Sequence, residues 1–283
     1  MKALYDVPAP AKLNLFLHVT GRRDDGYHLL QSAFMLIDWC DTLHLERRGD
    51  SQIRRQDLSV QLPADDLITR AARLLQQHTG CTDGVDIAVE KRIPAQAGMG
   101  GGSSDAASCL LALNRLWGLN LPLHTLQTLG LQLGADVPFF LGGHNAWVEG
   151  IGEQLHPVDL PPARFCVIKP PVGLETAQIF RDPRLNRSTN PATISVFAAD
   201  PYDFGHNDLQ PVAEVLCPEV LQARQCLAKA GMNARMTGSG SAVFALCHAP
   251  GQSKQVQVPE HWLIQECSNM EVHPLVGWAS SDN

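Results

Sequence analysis

Polar and apolar residues alternate along positions 9–20, with Ala11, Leu13, Leu15, Leu17 and Val19 on one side and Lys12, Asn14, Phe16 and His18 on the other. A period of two describes a strand with one buried face, so Lys12 and Asn14 are expected to project together from the opposite face. After a polar turn at 21–26, further strand-like runs fall at 32–39, 42–46 and 85–90. Between the last two lies a helix. It starts near Asp65 and Asp66, places Leu67, Ile68, Ala71, Ala72, Leu74 and Leu75 at helical spacing, and stops at Gly80. The same period predicts a second helix from about Ser104 to Trp117 and a third over 123–133.

Past Gly150 the texture changes to proline-rich junctions, a strand at 165–169 and a turn-rich stretch at 181–191. A helix at 218–230 ends on Gly231, and Thr237-Gly238-Ser239-Gly240 feeds a strand at 242–247. Strands and helices mix without a regular βαβ rhythm, which favours an α+β fold. Two domains are expected, 1–155 and 156–283, and the tail after Trp278 is expected to be loose.

The bulk numbers narrow the function classes. A net charge of -7 argues against a protein that grips nucleic acid through its overall field, so any anion site must be local. Apolar stretches stop well short of the roughly 20 residues needed to span a bilayer, and neither a secretion signal nor a membrane helix is expected. Eight scattered cysteines without a CxxC pair suit reduced core thiols in a cytoplasmic protein.

The clearest chemical signal is the run from Pro94 to Ala107, in which Gly98-Met99-Gly100-Gly101-Gly102-Ser103-Ser104 leads straight into an amphipathic helix. Glycines allow backbone N–H groups to approach a ligand, and a helix start adds unpaired donors and a positive dipole end. The junction therefore suits a polyphosphate. It is not a P-loop, because no lysine follows the glycines, and Ser103 stands where the third glycine of GxGxxG belongs. A hydroxyl at such a loop, on Ser103 or Ser104, is a candidate ligand for phosphate or Mg²⁺.

These residues resemble the GHMP kinases, the family of galactose, homoserine, mevalonate and phosphomevalonate kinases. Pro10-Ala11-Lys12-Leu13-Asn14-Leu15 with Asp25-Gly26-Tyr27-His28 is similar to the first motif of the family's cytidyl-methylerythritol branch, and Met236-Thr237-Gly238-Ser239-Gly240-Ser241 to the third motif. Gly134-Ala135-Asp136-Val137-Pro138-Phe139 and Asn207-Asp208-Leu209 match as well, so the similarity spans most of the chain in order. The resemblance implies a two-domain fold with the active site in the cleft between domains, ATP and Mg²⁺ as cofactors, and Asp136 as general base with Lys12 as its electrostatic partner.

By the same resemblance, nucleotide contacts fall to Pro94 and the loop 98–104, to Lys91, and to Asp66 and Leu67. Many members carry Asn where this chain has Asp66. Acceptor contacts fall to Asn14, Tyr27, His28, Phe34, Thr176, Phe180, Gly238, Ser239 and Gly240. Tyr27 and His28 recognise a cytosine in that branch, which implies phosphorylation of the 2-hydroxyl of 4-diphosphocytidyl-2-C-methyl-D-erythritol, a step of the non-mevalonate route to isoprenoids. Another GHMP acceptor such as homoserine or mevalonate, and a catalytically silent nucleotide binder, stay open as alternatives. So do a monomer and a homodimer. No protein ligand for Mg²⁺ is assigned.

Overall fold

The computed structural model of the chain describes residues 1–280. Two long strands, β1 (Ala3–Arg22) and β2 (His28–Arg48), pair antiparallel over their whole length. The expected strands at 32–39 and 42–46 are thus one, because the ladder with β1 continues through Cys40 and Asp41. Further along come β3 (Ile53–Asp57), α1 (Leu67–Thr79), β4 (Gly84–Glu90), α2 (Gly101–Leu116), α3 (Leu123–Leu133), α4 (Val137–Gly142), β5 (Ala146–Glu149) and β6 (Gln154–Pro157). The second half supplies β7 (Arg164–Lys169), α5 (Thr176–Arg181), α6 (Ile194–Ala199), α7 (Gln210–Leu216), α8 (Pro218–Lys229), β8 (Ala234–Met236), β9 (Val243–Leu246) and β10 (Leu263–Ser268).

One sheet has the order β3-β4-β2-β5-β6, with β1 also on β2, and the other has the order β10-β7-β9-β8. Apart from the parallel pair β3 and β4, neighbouring strands run antiparallel. Three apolar cores follow. The first packs α1 to α4 on the first sheet through residues such as Leu75, Val89, Leu110, Leu126 and Phe140. The second gathers Val212, Val220 and Leu227 of α7 and α8 against Ile168 and Val243. The third lies between them and joins Leu13, Leu15 and Met35 of the long ribbon to Phe165, Val167 and Phe244 of the second sheet.

Strict alternation fails in β1 between Asn14 and Leu17, where the register with β2 shifts. A bulge puts two successive residues out of phase. Phe16 is therefore not on the face of Lys12 and Asn14 but fully buried, edge-on to Phe204 at 4.9 Å and beside Trp147 at 5.2 Å. His18 is likewise buried, against His206.

Asp66 caps α1, its carboxylate accepting from the N–H groups of Ile68 at 2.7 Å and Thr69 at 3.2 Å, and Gly80 closes it in the left-handed region. Such a cap is worth about 1 kcal/mol. The second helix begins earlier than the expected Ser104, at Gly101, after Gly100 at φ 70°. The last glycines of the loop thus form its first turn. Nor is the chain loose just after Trp278: the Arg115 guanidinium lies 4.8 Å from the Trp278 ring, and Leu123 N–H donates to the Ser280 carbonyl. The rest of that expected tail lies outside the described residues. Among the described residues, no helix is long and apolar enough to cross a membrane.

Candidate active site

The glycine loop is seated by backbone bonds to distant segments. Lys12 N–H donates to the Met99 carbonyl at 3.0 Å, while Ser241 and Ala242 N–H groups donate to Gln96 and Ala97 at 3.2 Å each. Three motifs far apart in sequence thus meet at one loop. Gly98 has to be glycine: at φ 72°, a Cβ there would sit 2.2 Å from the Thr237 carbonyl oxygen. Thr237 also accepts the Asn14 N–H, and Asn207 Nδ2 donates to the carbonyls of Met236 and Gly238, fixing the third motif.

Around this seat opens a cavity of about 880 Å³. Its wall includes Pro94, Gly98, Met99, Gly100, Gly101, Gly102 and Ser103 of the loop, Gly238, Ser239 and Gly240 of the third motif, and Lys12, Asn14 and Phe34 of the ribbon. Asp66, Leu67 and Lys91 line it beside the loop, and Asp136, Thr176 and Phe180 line it as well. Ser104 does not. With α2 starting at Gly101, the residue after Ser103 turns about 100° into the core, and Ser104 is fully buried with its hydroxyl unpartnered.

Lys12 and Asp136 stand together, Nζ to Oδ2 at 3.5 Å. The ammonium also donates to Asn14 Oδ1 and lies 4.3 Å from the centre of the Phe34 ring, so Phe34 supports the lysine as well as lining the cavity. Burial lowers the Lys12 pKa from its ordinary value, and Asp136 opposes that shift. Asp136 precedes α4 but does not cap it, so its carboxylate stays available to the cleft and is about a third exposed. Phe139 and Phe140 anchor that short helix in the core, with Phe139 edge-on to Phe34 at 5.3 Å.

Lys91 is held differently. Its ammonium donates to both Asp41 and Asp105, and Asp41 in turn accepts the N–H groups of Arg92 and Ile93. Asp105 is buried, its second oxygen has no partner, and its carboxyl is pushed up to about 7 by burial, with Lys91 pulling it down and Asp41 pushing it up. Asp66 is similarly engaged: besides capping α1, it pairs with Arg55.

Tyr27 and His28 lie in a second cavity, of about 680 Å³, that shares Leu30, Ile151, Ala177 and Phe180 with the first. The Phe180 ring stacks on His28 with centroids 4.9 Å apart and planes 29° from parallel. Tyr27, on the same cavity wall, is 60% exposed. Thr176, at the start of α5, meets Ser239 hydroxyl to hydroxyl at 2.7 Å and ties that wall to the third motif. Sequence reasoning passed over Asp41, Asp105 and Arg187. Asp105 had a local signal, an acid in the first turn of the helix after the loop, whereas Asp41 and Arg187 meet their partners only through the fold.

Comparison with known proteins places this geometry. The model described as the GHMP kinases N terminal domain matches residues 66–144, and the one described as GHMP kinases C terminal matches 197–262. A 4-diphosphocytidyl-2-C-methyl-D-erythritol kinase of Variovorax paradoxus (strain S110) is 61% identical over 296 aligned positions, covering 99% of this chain and 100% of the relative. The enzyme of the same name from Delftia acidovorans (strain DSM 14801 / SPH-1) is 63% identical across 100% of both chains. The chain belongs to the 4-diphosphocytidyl-2-C-methyl-D-erythritol kinases of the GHMP family. A solved 4-(cytidine 5'-diphospho)-2C-methyl-D-erythritol kinase superposes with a TM-score of 0.80 at 34% identity, covering 95% of this chain and 99% of that one. A homoserine kinase from Cytophaga hutchinsonii, 15% identical with a TM-score of 0.70 over 96% of each chain, shares the fold. The GHMP resemblance and the expected α+β, two-domain fold both hold.

Proposed function

We propose that this kinase transfers the γ-phosphoryl group of ATP to the 2-hydroxyl of 4-diphosphocytidyl-2-C-methyl-D-erythritol. The observation that carries this reading is the Lys12–Asp136 pair at 3.5 Å, set in the cavity walled by the glycine loop. The loop's backbone and the start of α2 take the phosphates. Asp136 receives the acceptor hydroxyl proton, and Lys12 pairs with that carboxylate and stabilises charge on the transferring group. Asn14, which holds the Lys12 ammonium, sets its direction. The second cavity, with Tyr27, His28 and Phe180, takes the cytosine.

Leu67, Asp66 and Lys91 form the wall on which the nucleoside rests, with the Asp66 carboxylate already committed to the α1 cap and Arg55. We divide the chain into a nucleotide-binding part, 1–155, and a part completing the acceptor cleft, 156–283. Among the described residues no cluster of three or more His, Cys, Asp or Glu side chains could cage a metal. The Ser103 hydroxyl on the cavity wall fits a hard cation that keeps phosphate oxygens and water as its other ligands. Held there by Ser103, Mg²⁺ would supply neutralisation of the triphosphate's negative charge. All eight cysteines are free, which supports a reducing compartment such as the cytoplasm.

Turnover of ATP against four acceptors tests the reading: the cytidyl diphosphate substrate, the same polyol phosphate without the cytidyl group, homoserine and mevalonate. Turnover with the cytidyl acceptor alone is expected. Turnover with homoserine or mevalonate alone, or with none of the four, would overturn it.

A further inference from the structure

Arg187 sits where the two walls of the second cavity meet. Its Nε donates to His28 Nε2 at 3.1 Å, across 159 positions of sequence. Its other nitrogens donate to backbone carbonyls, from Nη1 to Leu185 at 3.0 Å and from Nη2 to Phe180 at 2.9 Å and Asp182 at 2.8 Å. Phe180 and Asp182 bracket the end of α5, so Arg187 ties the segment that carries the Phe180 ring to the imidazole on which that ring stacks.

A guanidinium only donates. His28 Nε2 is therefore an acceptor, and the ring proton resides on Nδ1, which has no hydrogen-bond partner among the described residues. The ring is also held neutral, because partial burial and the nearby charges of Arg187 and Arg22 lower its pKa. A neutral imidazole with one nitrogen taken offers a single donor to a ligand.

We propose that Arg187 is a positioning residue that fixes His28 as its Nδ1–H tautomer, making the second cavity selective for a base with an acceptor on its reading edge. The proposal rests on the cytidyl acceptor assigned above. Cytosine N3 accepts a hydrogen bond, whereas uracil carries a hydrogen there and would set donor against donor. Without Arg187 the ring is free to exchange tautomers, and a His28 protonated at Nε2 accepts at Nδ1 and tolerates the wrong base.

The test joins ¹⁵N NMR of the imidazoles with steady-state kinetics on cytidyl and uridyl diphosphate polyols. In the free wild-type protein His28 is expected to be protonated at Nδ1, and Arg187→Met to shift it toward Nε2. The same variant should raise KM for the cytidyl acceptor about tenfold and reduce cytidyl-over-uridyl discrimination by a similar factor. Its kcat and its KM for ATP should stay within about twofold, as a lost binding contact requires. Arg187→Lys, which keeps a donor, should retain the Nδ1–H form and most of the discrimination. A wild-type His28 protonated at Nε2 would overturn the proposal, as would an Arg187→Met enzyme with unchanged tautomer and discrimination. The wild-type tautomer needs no variant, so that measurement, with Arg187→Lys, decides the proposal even where Arg187→Met fails to fold. Failure of the cytidyl acceptor itself would instead count against the proposed function.

Discussion

Two lysines line the same cavity and are held in opposite ways. Lys12 has one carboxylate neighbour, Asp136, at 3.5 Å, and burial lowers its pKa. Lys91 donates to two buried carboxylates, Asp41 and Asp105, and their attraction outweighs its burial, so its pKa is raised. Removing a charge from water is costly, and full pairing offsets that cost only where partners surround it. Under the proposed function, the under-paired lysine is the one with attraction left for a phosphoryl group. The fully paired one stiffens the entry to the glycine loop, because Asp41 also holds the backbone of Arg92 and Ile93 just before it.

Substitutions at these pairs sharpen the contrast. Asp136→Asn should give the largest effect, lowering kcat by roughly 10³-fold with ATP affinity by calorimetry nearly unchanged. Lys12→Met should follow, at about 10²-fold in kcat, since it removes charge stabilisation yet leaves the carboxylate in place. An equal ATP affinity with wild-type kcat in either variant would dissolve the distinction.

Lys91→Met belongs to stability. It leaves Asp41 and Asp105 facing each other without a cation, and urea unfolding should report a loss of about 3 kcal/mol. The smallest effect is on pH dependence. A carboxyl whose folded pKa is raised to about 7 binds a proton in the native state that the unfolded chain has already released above about 4. Its contribution to stability is full at acid pH and is lost as pH rises through about 7. Wild type should therefore lose more stability than Asp105→Asn between pH 5 and pH 8, by about 1 kcal/mol or more. Parallel profiles for the two proteins would remove Asp105 as the titrating group.

What the chain disclosed in advance divides along the same line. Helix α1 could be read with both ends because its cap, apolar stripe and closing glycine are neighbours in sequence. Lys12, Asp136 and the glycine loop were legible through the spelling of their motifs, and the fold brings them to one cavity. The Lys91 clamp was not legible, since Asp41 lies 50 positions away and joins only when β2 and β4 pair. Phe16 misled because a bulge is set by strand pairing rather than by alternation. Ser104 misled because the helix absorbs two glycines that local propensity assigns to a loop.

The most direct measurement is the single-turnover rate of phosphoryl transfer from saturating ATP to the cytidyl diphosphate polyol in Lys12→Met and Lys91→Met, each at a temperature where it is fully folded. The account predicts that Lys12→Met slows transfer about 10²-fold while Lys91→Met stays within a few-fold of wild type. Slow transfer in Lys91→Met alongside a wild-type rate in Lys12→Met would contradict it.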